Sequence, residues 1–563
     1  MKKILKASLI FVFALAVFGL WLIALFHISS LWRGDSDNAY LVIAGNAIAK
    51  GNYILRGYYL SQLDPFYSID MFVNAAFVKL LGFRPLIMHA VPVFLYAVFI
   101  LIACFYIPRE KDEVNGNAGL IFKTGLFLFI IFLVFPSRGL AFWALQEGMH
   151  LSAVIVSLLV FLLINKFLKT ASRLSYLFLT VAFIILTAGF ANDNVNVVIC
   201  GVPLIVLNIV FIAKEVIGKD ENYNNIGKYL LIVLSVITAY LLKELIFLAI
   251  KADGGFVTVP SRLSIAFVRL KFFVKNFYFY INGMLNLLGI KVFGKNLFSL
   301  KTVIEIFKIT GFIIFIYGIK TTVKKVKEFK DDDFLDILLL GGMLFMSLGF
   351  LMSQIPVNKA SSRYLMPVAV FGFILIIRNF GYVINGFMKN KTLDIIKKDG
   401  VKVKNFKPVF LEISVAFVFM IYAGSFTLNS LAVIPKSPVR PLGKWLIRHN
   451  LTYGYGTYWD SSIITLKTKG KVKVRQLISG GNGIVPYRWL CNKKWYKEKG
   501  FFVIYTEHFI WFDRQAIIKV FGKPSKVYIE DFQGTLGKPY GRSSGRGTLA
   551  PYVIMVYKNG IMP

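Results

Sequence analysis

Long apolar runs separated by short polar connections form the pattern of this chain over most of its length. Uninterrupted apolar stretches fall at 7–29, 85–107, 118–135, 148–167, 174–191, 194–216, 228–250, 302–322, 335–354, 364–384 and 408–430. Each is close to the ~20 residues with which a helix crosses about 30 Å of hydrocarbon. Continuous apolar runs satisfy their backbone groups internally, and no two-residue alternation is visible, so helices rather than a barrel are predicted. The 66–84 stretch, with Phe72, Phe77, Leu80 and Leu81, reads either as a lipid-skimming helix or as part of a longer second span. The pattern predicts a polytopic α-helical membrane protein with about eleven spans.

After the last run the period changes. Val472–Leu477 alternates as a strand should, 501–505 and 552–557 look like two more strands, and 450–456 suggests a strand with a tight turn. With a short helix over 460–468, the tail reads as a small α/β domain. The predicted division is therefore a transmembrane domain, 1–430, with outer loops 32–66 and 251–301, and an extracytoplasmic α/β domain, 431–563. The Gly-rich stretches 479–483 and 541–547 lack the strand-to-helix context of a nucleotide fingerprint and read as loops.

Composition agrees: 57% of the residues are hydrophobic and mean hydropathy is +0.65, which excludes an ordinary soluble protein. The first run follows Met1-Lys2-Lys3, is too long for a signal-peptide core and lacks a small-x-small site, so it reads as an uncleaved anchor. Three cysteines imply no disulfide framework. Five scattered histidines imply no dedicated transition-metal site, which leaves only a carboxylate-bound divalent cation such as Mg²⁺ or Mn²⁺ open.

Charge sets the orientation. Lys2, Lys3 and Lys6, then Arg109, Lys111 and Lys123, then Lys166, Lys169 and Arg173, and later seven lysines from Lys389 to Lys407, fall on one side. The positive-inside rule then predicts a multi-pass plasma-membrane protein with a cytoplasmic N-terminus and an outer C-terminal domain. That domain carries 22 Lys+Arg against 6 Asp+Glu, which suits anionic lipid headgroups or a phosphate-bearing substrate; nucleic acid is not an expected partner on the outer face.

Against this basic, apolar background, acidic and polar groups recur at the predicted outer face. Trp32-Arg33-Gly34-Asp35-Ser36-Asp37-Asn38-Ala39-Tyr40 follows the first span, and Leu63-Asp64-Pro65-Phe66-Tyr67-Ser68-Ile69-Asp70 comes soon after. Glu147 and His150, then Asp193 between two asparagines, then Lys359 with Arg363 and Tyr364 mark later span ends. A carboxylate can deprotonate a hydroxyl or bind a cation, and an arginine can clamp a phosphate. Structural readings stand beside these. Asp37, or less naturally Asp35, can cap the helix starting near Asn38. Asp64 and Asp70 suit turns or helix starts, Glu147 can pair with His150, Asp193 suits a turn, and Arg363 can snorkel.

The arrangement resembles the GT-C superfamily of membrane glycosyltransferases, which includes protein O-mannosyltransferases and the aminoarabinose transferases of lipid A. The resemblance rests on the first-loop acids and their continuation Ala44–Tyr53, on Ser362-Arg363-Tyr364-Leu365-Met366-Pro367, and on Tyr453–Trp459 with Pro486–Trp489. It implies a sugar carried on a polyprenyl phosphate, inverting transfer to a lipid, glycan or protein hydroxyl, Asp35 as general base and Asp37 in its place if the register differs. Asp64, Asp70, Glu147, His150, Asp193, Lys359, Arg363 and Tyr364 are the expected substrate-binding residues. The competing classes are a flippase or transporter of lipid-linked glycan, for which Lys243-Glu244 in the seventh run is the best argument, and a non-catalytic protein that binds envelope polymer.

Overall fold

The computed structural model describes residues 2–107, 125–126, 128–218, 225–260, 267–291, 296, 298–380, 406–480, 483–506, 512, 514–532 and 551–563. Among these, nine helices are long and apolar enough to cross a membrane: Ser8–Ser30, Ile87–Cys104, Leu151–Lys169, Leu174–Asn192, Val197–Ile217, Ile226–Ala252, Ile304–Lys325, Phe334–Met352 and Lys359–Arg378. A further helix, Phe406–Ser430, contains the shorter apolar segment Ala416–Ser430. The protein is multi-pass. Residues 118–124 and 127 of the predicted third run, the lysines from Lys389 to Lys404 and the glycine stretch 541–547 lie outside the described residues.

Burial separates the spans by role. The first helix exposes Leu9, Phe11, Phe13 and Leu20, an apolar surface fit for lipid, and becomes buried only near Leu25 and Ile28. Lys359–Arg378 is the most enclosed of the nine. Its first turn carries Arg363, so the rest of the bundle fixes the direction of that arginine.

The 66–84 stretch is not an extension of the second span. It forms the separate helix Asp70–Leu81, which at 1.5 Å per residue covers about 18 Å, too short to cross. The helix Ser36–Ala49 packs against it. Gly45 permits the approach: a Cβ there would meet the Cβ of Asn74 at 2.6 Å.

The described strands form two sheets. The smaller one was not visible in the sequence pattern. It joins β1 (Tyr58–Ser61) from the first loop, β2 (Val257–Val259) from the later loop and β6 (Cys491–Asn492) from the tail, with β1 in the middle. Lys493 N–H donates to Gly57 C=O at 2.8 Å, and Asn492 Nδ2 donates to Arg56 C=O at 3.1 Å. The tail is thus bonded directly to the acidic first loop. The larger sheet makes the tail an α/β domain. Its strands are β3 (Tyr453–Thr457), β4 (Lys473–Gly480), β5 (Gly483–Pro486), β7 (Gly500–Thr506), β8 (Lys526–Glu530) and β9 (Tyr552–Ile561). They lie in the order β5-β4-β3-β7-β9-β8. β3 runs parallel to both β4 and β7, and the helix Tyr458–Lys467 crosses between β3 and β4.

Candidate active site

The first loop turns sharply into its helix. Gly34 has φ +66°, and a Cβ there would sit 2.5 Å from the Met88 side chain, so both the backbone sign and the space call for glycine. Asp35 is the N-cap of Ser36–Ala49: its Oδ1 accepts from Asp37 N–H at 3.0 Å and from Asn38 N–H at 3.3 Å. Asn38 Oδ1 accepts in return from Asp35 N–H at 3.2 Å. The capping role expected chiefly of Asp37 therefore belongs to Asp35.

That leaves the Asp37 carboxylate for another partner. Tyr458, from the C-terminal domain, donates its hydroxyl to Asp37 Oδ1. Both acids are half-buried. Burial raises the Asp35 pKa to about 7, with the Asp37 charge adding to the rise and the two cap hydrogen bonds opposing it. Burial raises Asp37 too, against the hydrogen bond from Tyr458 and the charge of Arg363. Two acids so close titrate as a pair.

Arg363 sits in the 3₁₀ turn Lys359–Leu365, capped by Asn358 and followed by Pro367 in the first turn of the buried helix. Trp143 Nε1 anchors the turn by donating to Ser362 Oγ at 3.0 Å. Arg363 donates to Tyr364 Oη at 3.2 Å, and its guanidinium carbon lies 5.0 Å from the Tyr364 ring centre. Its charge favours the ionised forms of both Asp37 and Asp64. Asp64 accepts from the Ser61 hydroxyl in a tight turn, the structural role anticipated for it, while burial raises its pKa.

A second layer lies behind. His150 has φ +66°, a strained sign for a non-glycine residue, and its Nδ1 is 2.6 Å from Asp193 Oδ2. The imidazole packs on Tyr364 with ring centres 4.8 Å apart. Asp193 also accepts from Val195 N–H at 2.9 Å, so its turn role and its pairing coexist. The expected Glu147–His150 pair is replaced: Glu147 accepts from Asn74 Nδ2 at 3.0 Å, and burial holds its carboxyl well above the usual range. Asp70 is not a cap. It accepts from Ser152 at 2.7 Å and from Asn192 Nδ2 at 2.6 Å, and Asn192 Oδ1 in turn accepts from the backbone of Ile69 and Asp70.

The structure therefore gathers Asp35, Asp37, Asp64, Arg363, Tyr364, His150 and Asp193 around one region and sets Asp70 and Glu147 in a hydrogen-bonded layer near it. Lys359 is exposed and makes no ion pair with these acids among the described residues. Sequence reasoning missed Tyr458, Asn74, Ser152 and Asn192 as partners. Only long-range packing brings them in, although Tyr458 and Asn192 stand in segments whose composition already drew attention. Among the described residues no three His, Cys, Asp or Glu side chains group as a metal site.

No known protein family and no curated protein matches the chain. Solved structures do. ArnT from Cupriavidus metallidurans, bound to undecaprenyl phosphate, is 10% identical and superposes with a TM-score of 0.50 over 98% of this chain and 99% of its own. ArnT from the same organism in the apo state gives 0.52 over 98% of both chains, again at 10% identity. The chain has the ArnT fold. The match spans bundle and tail together, so the ArnT fold accounts for the C-terminal α/β domain as well as the helices.

Proposed function

We propose that this protein is a membrane glycosyltransferase that moves a sugar from a polyprenyl-phosphate donor to an acceptor hydroxyl at the outer face. The observation that carries the reading is the half-buried Asp37 carboxylate of the first loop, bonded by Tyr458 and within the field of Arg363, in an ArnT fold. That an ArnT structure holds undecaprenyl phosphate supports a polyprenyl carrier here. The positive-inside charge pattern supports a cytoplasmic N-terminus and an extracytoplasmic tail in the plasma membrane.

In this scheme the acceptor oxygen attacks the anomeric carbon as the bond from that carbon to the phosphate oxygen breaks, inverting the configuration. The acceptor proton passes to Asp37, and polyprenyl phosphate leaves with the electron pair. Arg363 stabilises the charge that develops on the phosphate, and Tyr364 orients the guanidinium. We assign the base role to Asp37 because Asp35 accepts two backbone hydrogen bonds that shape the helix start, whereas Asp37 accepts one, from a side chain of the tail. A single base suffices for one displacement, so no covalent nucleophile is required. Asp64 lines the same region and would bind donor or acceptor, while the buried His150–Asp193 pair behind Tyr364 would hold that side chain in place.

The transporter reading draws on Lys243, but that ammonium is buried, bonded to Glu244 at 2.7 Å and set 5.1 Å from the rings of Tyr240 and Phe247. These contacts suffice as a structural explanation.

The test is purified protein in detergent with a radiolabelled polyprenyl-phosphate hexose and a membrane extract as acceptor. Transfer of label by the wild type, reduced about 10²–10⁴-fold in Asp37→Asn, is the expected result. No turnover of any such donor by a folded protein would overturn the reading.

A further inference from the structure

The C-terminal domain enters the site through one side chain. Tyr458 begins the helix Tyr458–Lys467 at the end of β3, and its hydroxyl donates to Asp37 Oδ1 across 421 residues of sequence. The tyrosine is held from its own side: its ring meets Trp459 at 5.1 Å and Tyr487 edge-on at 5.4 Å between centres. The helix is held as well, since Ser462 N–H donates to Ser36 Oγ at 3.2 Å. Together with the three-stranded sheet, these contacts give the tail a fixed register on the first loop. Asp37 is the acid that this register serves.

We propose that Tyr458 is a positioning residue for the reaction: it pins one oxygen of Asp37 so that the other is aimed at the acceptor hydroxyl, and the C-terminal domain is thereby part of the active site. The inference rests on the glycosyltransferase reading and deepens it. A carboxylate free to rotate loses the aligned lone pair that proton transfer needs. Fixing Oδ1 with a phenol removes that freedom while leaving Oδ2 unclaimed by any hydrogen bond from Tyr458. A phenol is suited to the role because it donates without adding charge, so it does not compete with Arg363 for the leaving phosphate.

The groups that face Asp37 are Asp35 at the start of its own helix, Arg363 from the 3₁₀ turn and Tyr458 from the tail. Of these, Tyr458 can be altered without changing formal charge. Its hydrogen bond favours the ionised carboxylate, so its removal leaves Asp37 harder to deprotonate and moves the acid limb of the rate profile upward.

The experiment compares wild type, Tyr458→Phe and Ser36→Ala in the polyprenyl-phosphate hexose assay across pH, with thermal unfolding of each variant as the control for folding. Ser36→Ala removes a contact between the same two elements without touching Asp37. The expected result for Tyr458→Phe is a kcat about tenfold lower or more, KM for the donor little changed, and an acid limb about one pH unit higher. Ser36→Ala should keep the wild-type limb. A Tyr458→Phe limb at the wild-type position, whatever its rate, overturns the positioning role. So does an equal limb shift in Ser36→Ala, which would mark general domain docking. An inactive wild type would instead defeat the glycosyltransferase reading itself, and full activity in Asp37→Asn would defeat the base on which this inference rests.

Discussion

Two clusters of charge lie at opposite ends of one helical segment, Lys359–Arg378, about 22 Å apart along its axis. At the Arg378 end the charges are matched. Asp336 accepts from Arg378 Nε at 2.6 Å and from Lys325 Nζ at 3.0 Å, while Lys325 also reaches Asp333 at 2.9 Å and Asn379 at 2.8 Å. At the Arg363 end, Asp35, Asp37 and Asp64 feel the charge of one guanidinium, without an ion pair to it among the described residues, and burial lifts all three carboxyl pKa values. A matched buried cluster fastens helices, and removing one partner leaves a stranded charge. A cluster with surplus carboxylate raises the proton affinity of its acids, which suits a general base. The difference teaches that burial of charge is not itself the mark of a site; incomplete pairing is.

The predictions sharpen that contrast. Asp37→Asn should lower transfer about 10²–10⁴-fold with an unchanged melting temperature. Asp336→Asn should do the reverse, losing about 3 kcal/mol of stability because Arg378 stays partly buried without its carboxylate and Lys325 keeps only Asp333, while surviving folded protein keeps its turnover; denaturation in detergent checks it. Arg363→Gln should lower kcat by roughly 10–100-fold, since it removes stabilisation of a developing charge. Asp35→Asn keeps a competent cap and removes one negative charge beside Asp37. Burial and the Asp37 charge raise the Asp35 pKa to about 7, so the variant should lose a titration step near pH 7 from its profile, with at most a few-fold change in plateau rate. Lys359→Ala should stay within about twofold of wild type in the same assay, as an exposed residue outside the cluster.

The fold was largely legible because membrane spans announce themselves locally: each apolar run needs only its own length and composition to be recognised. The alternation at Val472–Leu477 likewise placed β4 correctly. What stayed hidden depends on distant pairing. Nothing local marks Cys491–Asn492 as a partner for Tyr58–Tyr59, or Tyr458 as the donor to Asp37. The division between Asp35 and Asp37 was hidden for a finer reason. Either acid could cap a helix starting within two residues, and the small offset that decides between them follows from the turn at Gly34 and its packing on Met88. Similarly, Glu147 and His150 share a helical spacing, but His150 turns to Asp193 and Glu147 to Asn74, partners that only the packed bundle supplies.

The central claim is that the two first-loop acids have separate roles, Asp35 shaping the helix and Asp37 taking the proton. The most direct measurement is kcat/KM for Asp35→Asn and Asp37→Asn with one radiolabelled polyprenyl-phosphate sugar, each variant assayed on its own pH plateau. The account predicts a loss of about a hundredfold or more for Asp37→Asn and less than about tenfold for Asp35→Asn. The opposite order, with Asp35→Asn inactive and Asp37→Asn near wild type, would contradict it.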